Sequence, residues 1–310
     1  MSYAQAGLIE AADYNNFING TNQLNRVWGL GNSDAGYGQT AISTVSAGAT
    51  VTATQWASLI NTLNSIRTHQ TGSGSGITAV TSGERIDFLS TLSTQIDNGY
   101  SQRLNFTTQG TTTTGTNTNS TLNVTGAAAQ TLTITRTATF ASADQARYFF
   151  NAGGQLNFVI GAGTNTGATN RGANLITLAT AAGGVTALRA STNGGRTGTG
   201  QTQNTNDTTL GYYDFLTTNL TIVSLTSASS PYTAYPSDTA VIRARTNGPQ
   251  GANGDNGTVI SIDLVLTSAA QATLDGGYND SINITIPTRI DVVYPETTNL
   301  TNSWGTVTIG

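Results

Sequence analysis

The spacing of apolar residues changes once along this chain, and the change constrains the fold more than any other feature of the sequence. Before about residue 98, apolar residues recur every three or four positions, which is the period of an amphipathic helix. After residue 121 they alternate with polar residues, which is the period of a half-buried strand. The sequence therefore predicts an α+β protein in which a helical region precedes a β-rich body.

Two amphipathic helices are predicted first, and their apolar faces supply candidates for core or assembly contacts. The face of the first reads Tyr14, Phe17, Ile18, Thr21, Leu24 and Trp28. The face of the second, over about 54–68, reads Trp56, Leu59, Ile60, Leu63 and Ile66. Thr52 and Gln55 can form a capping box at its start. The candidates selected from these faces are Tyr14, Phe17, Trp28, Trp56, Leu59 and Ile60.

An internal duplication would explain the likeness of these two helices. A shift of 42 residues superposes Tyr14 on Trp56, Phe17 on Leu59 and Ile18 on Ile60. Two such units could pair as an antiparallel helical hairpin that buries both aromatic faces. Chance matches among common residue types are the alternative.

A third helix is predicted from about Gly83 to Asn98, with Thr81 and Glu84 as its capping box. The segment before it, HQTGSGSGITAVTSGE, is rich in Gly and Ser and is predicted to be a flexible loop or hinge. These elements make residues 1–103 a helical hairpin or three-helix region suited to attachment or assembly.

A linker is predicted at 104–121, where Thr, Asn and Gly dominate and favour extended or disordered backbone. Strands are then predicted in TLTITRT, QLNFVIG, NLTIVSL, SINITIP, YTAYPSDTAVIRART, GTVISIDLVLT, TRIDVVYP and GTVTIG. Their spacing predicts an antiparallel β-sandwich, jelly-roll or Ig-like, over 122–310. This body is either one unit or two subdomains, 122–205 and 206–310.

The composition excludes several kinds of chemistry. All 12 basic residues are Arg, so Schiff-base and phosphate-loop lysines are impossible, and the lack of Cys excludes disulfides and thiolates. The net charge of -4 and the scattered arginines argue against a nucleic-acid partner. No apolar run is long enough to span a membrane, and the start lacks the pattern of a secretory signal. We therefore expect a product that is soluble in the cell that makes it.

Sheet edges need protection, and this sequence offers little of the usual kind. Charged residues make up 9% of the chain, against roughly 25% in an ordinary soluble domain, and Lys is absent. Solitary β-proteins commonly protect their edges with Lys. We therefore expect subunits to cover one another in a permanent assembly. Sufficient protection by Thr, Asn and Pro is the alternative.

Catalytic and metal-binding patterns are weak. His69 is the single histidine, and no nucleophile motif accompanies it, so we interpret it as a helix-end residue that interacts with the helix dipole. Oxygen ligands for calcium occur in two clusters, Asn253 with Asp255 and Asn256, and Asp275 with Asp280. Turns between strands account for both clusters. We therefore expect no cofactor, no metal and no enzymatic activity.

Tyrosines beside the loops are candidates for sugar contacts, because aromatic rings stack on glycans. These residues are Tyr212, Tyr213, Tyr232 and Tyr235. Core positions are an equally good interpretation for them. A glycosidase would need two converging carboxylates, and no acidic pair lies in a recognisable motif.

Two stretches resemble structural proteins of tailed-phage virions, particularly of phages that infect marine and cyanobacterial hosts. The first reads ADYNNFINGTNQLNRVWG and then DAGYGQTAISTVSAGATVTATQWASLINTLNSIRTHQ, and the second reads FASADQARYFFNAGGQLNF. The recognisable points of the first are Tyr14, Asn15, Gly36, Tyr37, Gly38, Gln39 and Trp56. Ala11 and Ala12 stand where a Thr cap is expected, so the start of the first helix departs from the pattern.

The resemblance implies a late-expressed virion protein of the tail, neck, baseplate or fibre, without catalytic residues. We accordingly expect a homo-oligomer, a trimer or hexamer, that also contacts other virion proteins. The alternatives are a head decoration protein and a fibre module that binds a host receptor or surface glycan. A glycan depolymerase is a further alternative, which would need a carboxylate pair.

Overall fold

The computed structural model describes residues 10–19, 23–183, 185–189, 201–227, 235–270 and 281–310. Helices in the N-terminal region precede two antiparallel β-sheets, which confirms the α+β class and the β-rich body. The helices are α1 (Ala11–Asn19), α2 (Leu24–Trp28), α3 (Ala53–Thr71), α4 (Leu89–Ser101), α5 (Ala143–Asn151) and α6 (Asn170–Ala182). A short 3-10 helix spans Tyr212–Asp214.

The strands are β1 (Gln109–Thr113), β2 (Thr118–Val124), β3 (Gln130–Thr139), β4 (Gln155–Ile160), β5 (Thr164–Asn165), β6 (Val185–Leu188), β7 (Thr202–Asn206), β8 (Leu220–Thr226), β9 (Thr239–Thr246), β10 (Val259–Ser268), β11 (Ile282–Pro295) and β12 (Thr308–Ile309). Every predicted strand segment overlaps one of these strands. SINITIP and TRIDVVYP are parts of one strand, β11.

The second predicted helix is the most regular of the N-terminal helices. Thr52 and Gln55 form the expected capping box. The Thr52 side chain accepts from the backbone N–H of Gln55, and the Gln55 side chain accepts from the backbone N–H of Thr52. Gly72 ends the helix in the left-handed conformation, with φ of 78°. Both ends of α3 are therefore fixed by local hydrogen bonds.

The other two predicted helices differ in extent from the sequence expectation. The first is split into α1 and α2, and Thr21 lies outside the described residues. The third begins at Leu89 instead of Gly83. Thr81 and Glu84 do form hydrogen bonds, but these close a turn, because Gly83 has a φ of 91° and leaves the helical conformation.

β11 is the central strand of the first sheet. β4 and β5 pair with one side of β11, and β6 continues the sheet beyond β4. β1 and β2 pair end to end with the other side. Residues 104–121, predicted as a linker, thus contain β1 and the start of β2. Their Thr-rich backbone is extended, as expected, but it is ordered by pairing with β11.

The second sheet has the order β12-β3-β10-β9-β8-β7, and all its strands are antiparallel. Its inner face is apolar, because alternate residues of β9 and β10 such as Ile242, Ile262 and Leu264 are fully buried. The alternation predicted from the sequence therefore separates the side chains that face the core from those on the outer face of the sheet.

Two helices, α5 and α6, lie within the β-rich body and were not predicted. Ser142 caps α5 and Thr169 caps α6, each by accepting a backbone N–H of the first turn. α6 packs against β8, β9 and β10 of the second sheet and against β5 and β11 of the first. It therefore fills the space between the two sheets and is buried on several sides.

One hydrophobic cluster runs through the whole described molecule. It includes Tyr14 and Trp56 of the helical region, Phe149 of α5, and Ile290 and Trp304 of the C-terminal part. The helical region and the β body consequently share one core.

Candidate functional site

The segment between α2 and α3 joins the helical region to the β body, and we call residues 29–39 together with their partners in the body the junction. Arg147 of α5 is fully buried there. Its guanidinium donates to the carbonyl of Ala35, to the carbonyl of Leu30 at 2.7 Å, and to Asp144 at 2.9 Å. Because an arginine presents several donors in one plane, a single side chain holds both ends of the loop.

Asn151, one turn further along α5, continues this contact. Its amide nitrogen donates to the carbonyl of Gly36 at 3.0 Å and lies 3.3 Å from that of Asp34. The Tyr213 hydroxyl lies 2.6 Å from the Asn151 side-chain oxygen and 2.9 Å from the Asp34 carbonyl. Burial raises the pKa of Tyr213 well above its usual range, so this hydroxyl remains a donor.

Gly38 and Gln39 complete the junction. A Cβ atom on Gly38 would lie 2.3 Å from the Tyr148 ring, so this close contact requires glycine, whose φ is 68°. The buried Gln39 amide pairs with the backbone of Thr301, donating to its carbonyl at 2.8 Å and accepting from its N–H at 2.9 Å. The junction thus reaches both α5 and the C-terminal segment.

Tyr37 connects the junction with α3. Its hydroxyl donates to the Arg103 carbonyl at 2.8 Å and accepts from Gln70 at 3.0 Å. Its ring packs edge-on against His69, with the centroids 5.4 Å apart. Tyr37 is fully buried, and burial raises the pKa of its hydroxyl well above the ordinary value.

His69 makes the side-chain contact that joins α3 to the C-terminal segment. Its Nδ1 lies 2.9 Å from Glu296 Oε1, and the two residues are 1% and 4% exposed. Burial lowers the pKa of His69, although Glu296 opposes the change. Burial would raise the pKa of Glu296, but hydrogen bonds from Asn299, His69 and Thr298 outweigh it and lower that pKa. A neutral His69 that donates to an ionised Glu296 satisfies both tendencies.

The six core or assembly candidates divide into two groups. Five of them, Tyr14, Phe17, Trp56, Leu59 and Ile60, are at most 2% exposed. Tyr14 and Trp56 pack edge-on with centroids 5.2 Å apart. Trp28 is half-buried, and its indole N–H donates to the Thr40 carbonyl at 2.9 Å. The five buried candidates belong to the core, and Trp28 is the one candidate of the six that reaches the surface.

The predicted sugar-contact tyrosines do not form an exposed group. Tyr212 is fully buried and stacks on Phe150 with centroids 4.4 Å apart, and Tyr235 is 5% exposed. The Tyr213 hydroxyl is hydrogen-bonded to Asn151 in the junction, and Tyr232 lies outside the described residues. Tyr212 and Tyr235 have no free ring face, so the prediction of a sugar platform at these two positions is corrected to a core role.

The described surface includes two shallow concavities with polar linings. The Trp28 groove, about 450 Å³, lies between Trp28 and the polar side chains of α3, which include Thr54, Ser58, Asn61 and Ser65. The second, about 480 Å³, lies beside β1 and the C-terminal segment and is lined by Gln109, Thr111, Tyr294, Thr298 and Asn302 among others. Uncharged polar side chains dominate both linings.

Of the two clusters of possible calcium ligands, one makes hydrogen bonds within a turn, and the other lies outside the described residues. Asp255 accepts from the Ala252 N–H at 2.8 Å and closes a turn. Asp275 and Asp280 belong to residues that are not described. Within the described ranges, no group of three or more His, Asp or Glu side chains could hold a metal ion. No described helix has both the length and the apolar character that crossing a bilayer requires.

Two buried polar clusters were not predicted from the sequence. Asp238 accepts from Asn174 at 2.9 Å and from the Ala269 N–H at 2.9 Å, and burial raises its pKa. Asp263 on β10 is 1% exposed and accepts from Arg243 and Arg245. Their residues are far apart in sequence, so no motif reveals either cluster. Both connect neighbouring strands or helices.

Searches against protein-family models, curated proteins and solved structures find no match for this chain.

Proposed function

We propose that this chain is a non-enzymatic structural component of a tailed-phage virion, which assembles with copies of itself and with other virion proteins. The observation that carries the proposal is the junction, because the two stretches that resemble virion proteins meet there. The first stretch contributes residues 35–38, and the second contributes Arg147, Tyr148 and Asn151.

The contact between these stretches gives the resemblance a physical meaning. Asn151 and Gly36 are separated by 115 positions in the sequence. A shared ancestral unit would retain both stretches together, since loss of either one leaves buried carbonyls or a buried guanidinium unpaired.

The surroundings of the single histidine favour a structural role over a catalytic one. A general base must reach the proton it removes. His69 is 1% exposed, its Nδ1 is engaged by Glu296, and its ring packs on Tyr37. A substrate would have to displace the core to reach it.

The proposal is tested in particles from cells in which the gene is expressed during phage growth. Particles are purified by density gradient, washed in high salt and analysed by peptide mass spectrometry. We expect peptides of this chain in the washed particles, with a cytoplasmic host enzyme as the negative control. Recovery of the chain only in the soluble fraction would contradict the proposal.

A second candidate function, glycan binding, is favoured by the Trp28 groove. The groove combines one accessible indole with hydroxyl and amide side chains, which is the chemistry that recognises sugars. Calorimetric titration with polysaccharide from the host envelope should show binding, and Trp28→Ala should abolish it while Asn219→Ala, at an exposed residue directly before β8, should not. An unchanged affinity of Trp28→Ala would exclude this groove.

A further inference from the structure

The outer edge of the first sheet, formed by β1 and β2, has no neighbouring strand among the described residues. β1 and β2 pair only with β11 among these residues, so their other sides are open. β1 is exposed along its whole length, and no residue of β2 is fully buried. An open edge presents unpaired backbone N–H and C=O groups, to which another strand can bind.

β2 lacks the features that usually protect such an edge. Its pairing with β11 is unbroken over seven residue pairs, from Val124 opposite Ile282 to Thr118 opposite Thr288. No charged residue and no proline occurs between residues 104 and 135. Arg136 covers one carbonyl, that of Thr118, at 2.8 Å, and leaves the rest of the strand open.

Most of the other described strand edges are protected. β1, β6 and β7 have irregular registers, and β5 and β12 contain two residues each. Bulges and short length discourage pairing with a further strand. β3 extends beyond its neighbour β12, and its residues 130–135 are a second regular and uncharged edge, which ends at Arg136. β2 is the described edge strand that is regular, uncharged and open along its whole outer side, whereas β12 covers one end of β3.

We propose that β2 pairs in antiparallel orientation with β2 of a second copy of this chain, about a two-fold axis at Thr121. Full overlap of the two strands places Thr121 opposite Thr121 of the other copy and Asn119 opposite Asn123. These pairs are uncharged and polar, so no charge is left without a counter-charge. A charged strand would find no complementary group along 104–135.

This interface rests on the proposed assembly function and makes it more specific. A two-fold contact uses the same surface in both copies and joins the two first sheets into one continuous sheet. It is compatible with a dimer or a hexamer and excludes an isolated trimer. The copy number in solution should therefore be even.

A cysteine at the two-fold axis provides the test, because the chain contains no cysteine of its own. Directly opposite residues of antiparallel strands are close enough for a disulfide. Under mild oxidation, full-length Thr121→Cys should give a covalent dimer as its main product. The matched control Thr91→Cys, exposed on α4, should remain uncrosslinked under the same conditions.

Light scattering gives an independent readout. The mass of the wild-type assembly should be an even multiple of 31.9 kDa. Thr121→Lys should halve that mass, and Thr91→Lys should leave it unchanged. Circular dichroism checks that both variants are folded. A monomeric or odd-numbered wild type, an unchanged mass for Thr121→Lys, or equal crosslinking of the two cysteine variants would overturn the interface.

The outcomes separate this interface from the proposed function. A chain present in virions whose Thr121→Cys variant does not crosslink contradicts the interface alone. A chain that crosslinks at Thr121 but is absent from particles contradicts the virion role and leaves the interface standing.

Discussion

At the scale of single residues, the junction depends on groups whose partners are backbone carbonyls. Arg147 illustrates this, because the side chain is fully buried and two of its acceptors belong to a loop more than 100 positions away. The sequence could not reveal this role. An arginine inside RYFFN gives no indication that its charge lies in the core.

Arg147→Met should lower the free energy of unfolding by at least about 2 kcal/mol, because it leaves the buried carbonyls of Leu30 and Ala35 without donors. Arg147→Lys should recover part of the loss, since lysine keeps the charge but not the planar set of donors. Urea denaturation of both variants measures the difference. Equal stability of wild type and Arg147→Met would contradict the role of this contact.

Trp56→Ala should cost about 3 to 5 kcal/mol, because it removes a fully packed ring from the core of the helical region. The ring contacts Tyr14, Phe17 and Phe88. Trp28→Ala is the matched control, and its smaller effect should reflect the partial exposure of that ring. Similar losses for the two variants in chemical denaturation would argue against the difference in burial.

At the scale of elements, α3 is the clearest case in which local sequence determines local structure. Its capping box, its apolar face and its terminal glycine all lie within a few residues of the helix they define. Such signals are readable without knowledge of the rest of the chain.

Thr52→Ala should destabilise the protein by about 1 kcal/mol, because the Gln55 amide loses its acceptor at the start of α3. Thr52→Ser retains the hydroxyl and should stay close to wild type. Thermal unfolding followed by circular dichroism measures the difference in stability between these two variants. A stable alanine variant would show that tertiary packing alone fixes this helix end.

The elements that the sequence did not predict depend on distant partners. α6 is buried on several sides between two sheets, so its apolar residues show no simple stripe. β1 and β2 look like a linker because their order comes from β11, more than 150 positions later. For the candidate site, the helix faces predicted core or assembly roles for Tyr14 and Trp56, and both side chains are buried. The burial of Tyr212 follows instead from its contact with Phe150 in α5.

At the scale of the whole molecule, the buried His69–Glu296 pair couples folding to pH. The folded state lowers the pKa of both groups, so the unfolded chain binds more protons as the solution becomes acidic. Stability contributed by a neutral His69 is complete above its unfolded pKa of 6.5 and declines as the pH falls below that value. The Glu296 contribution is lost further down, below 4.5.

Urea denaturation between about pH 8 and pH 4 should therefore show stability falling on acidification. The glutamine in His69→Gln cannot gain a proton. The loss of stability near pH 6.5 should therefore be smaller in this variant, while the loss below pH 4.5 remains. The same pH profile for wild type and variant would mean that other groups control acid sensitivity.

A shared core also predicts cooperative unfolding. Trp28 and Trp56 report on the helical region and Trp304 on the C-terminal segment, and the hydrophobic cluster connects them. Fluorescence of a Trp304→Phe variant and of a Trp28→Phe/Trp56→Phe variant should give midpoints that coincide with those from circular dichroism of the same proteins. Separate transitions would indicate that the helical region unfolds independently of the body.

The position of β11 near the end of the described chain has a consequence for synthesis on the ribosome. β1, β2, β4 and β5 all pair with residues 282–295, which are translated more than 100 residues after β5. Until then, β1, β2 and β5 lack their native partner, β4 has only β6, and the complete first sheet cannot form. We therefore expect nascent chains stalled before residue 282 to remain protease-sensitive between residues 104 and 165, and to acquire resistance only after β11 has left the exit tunnel.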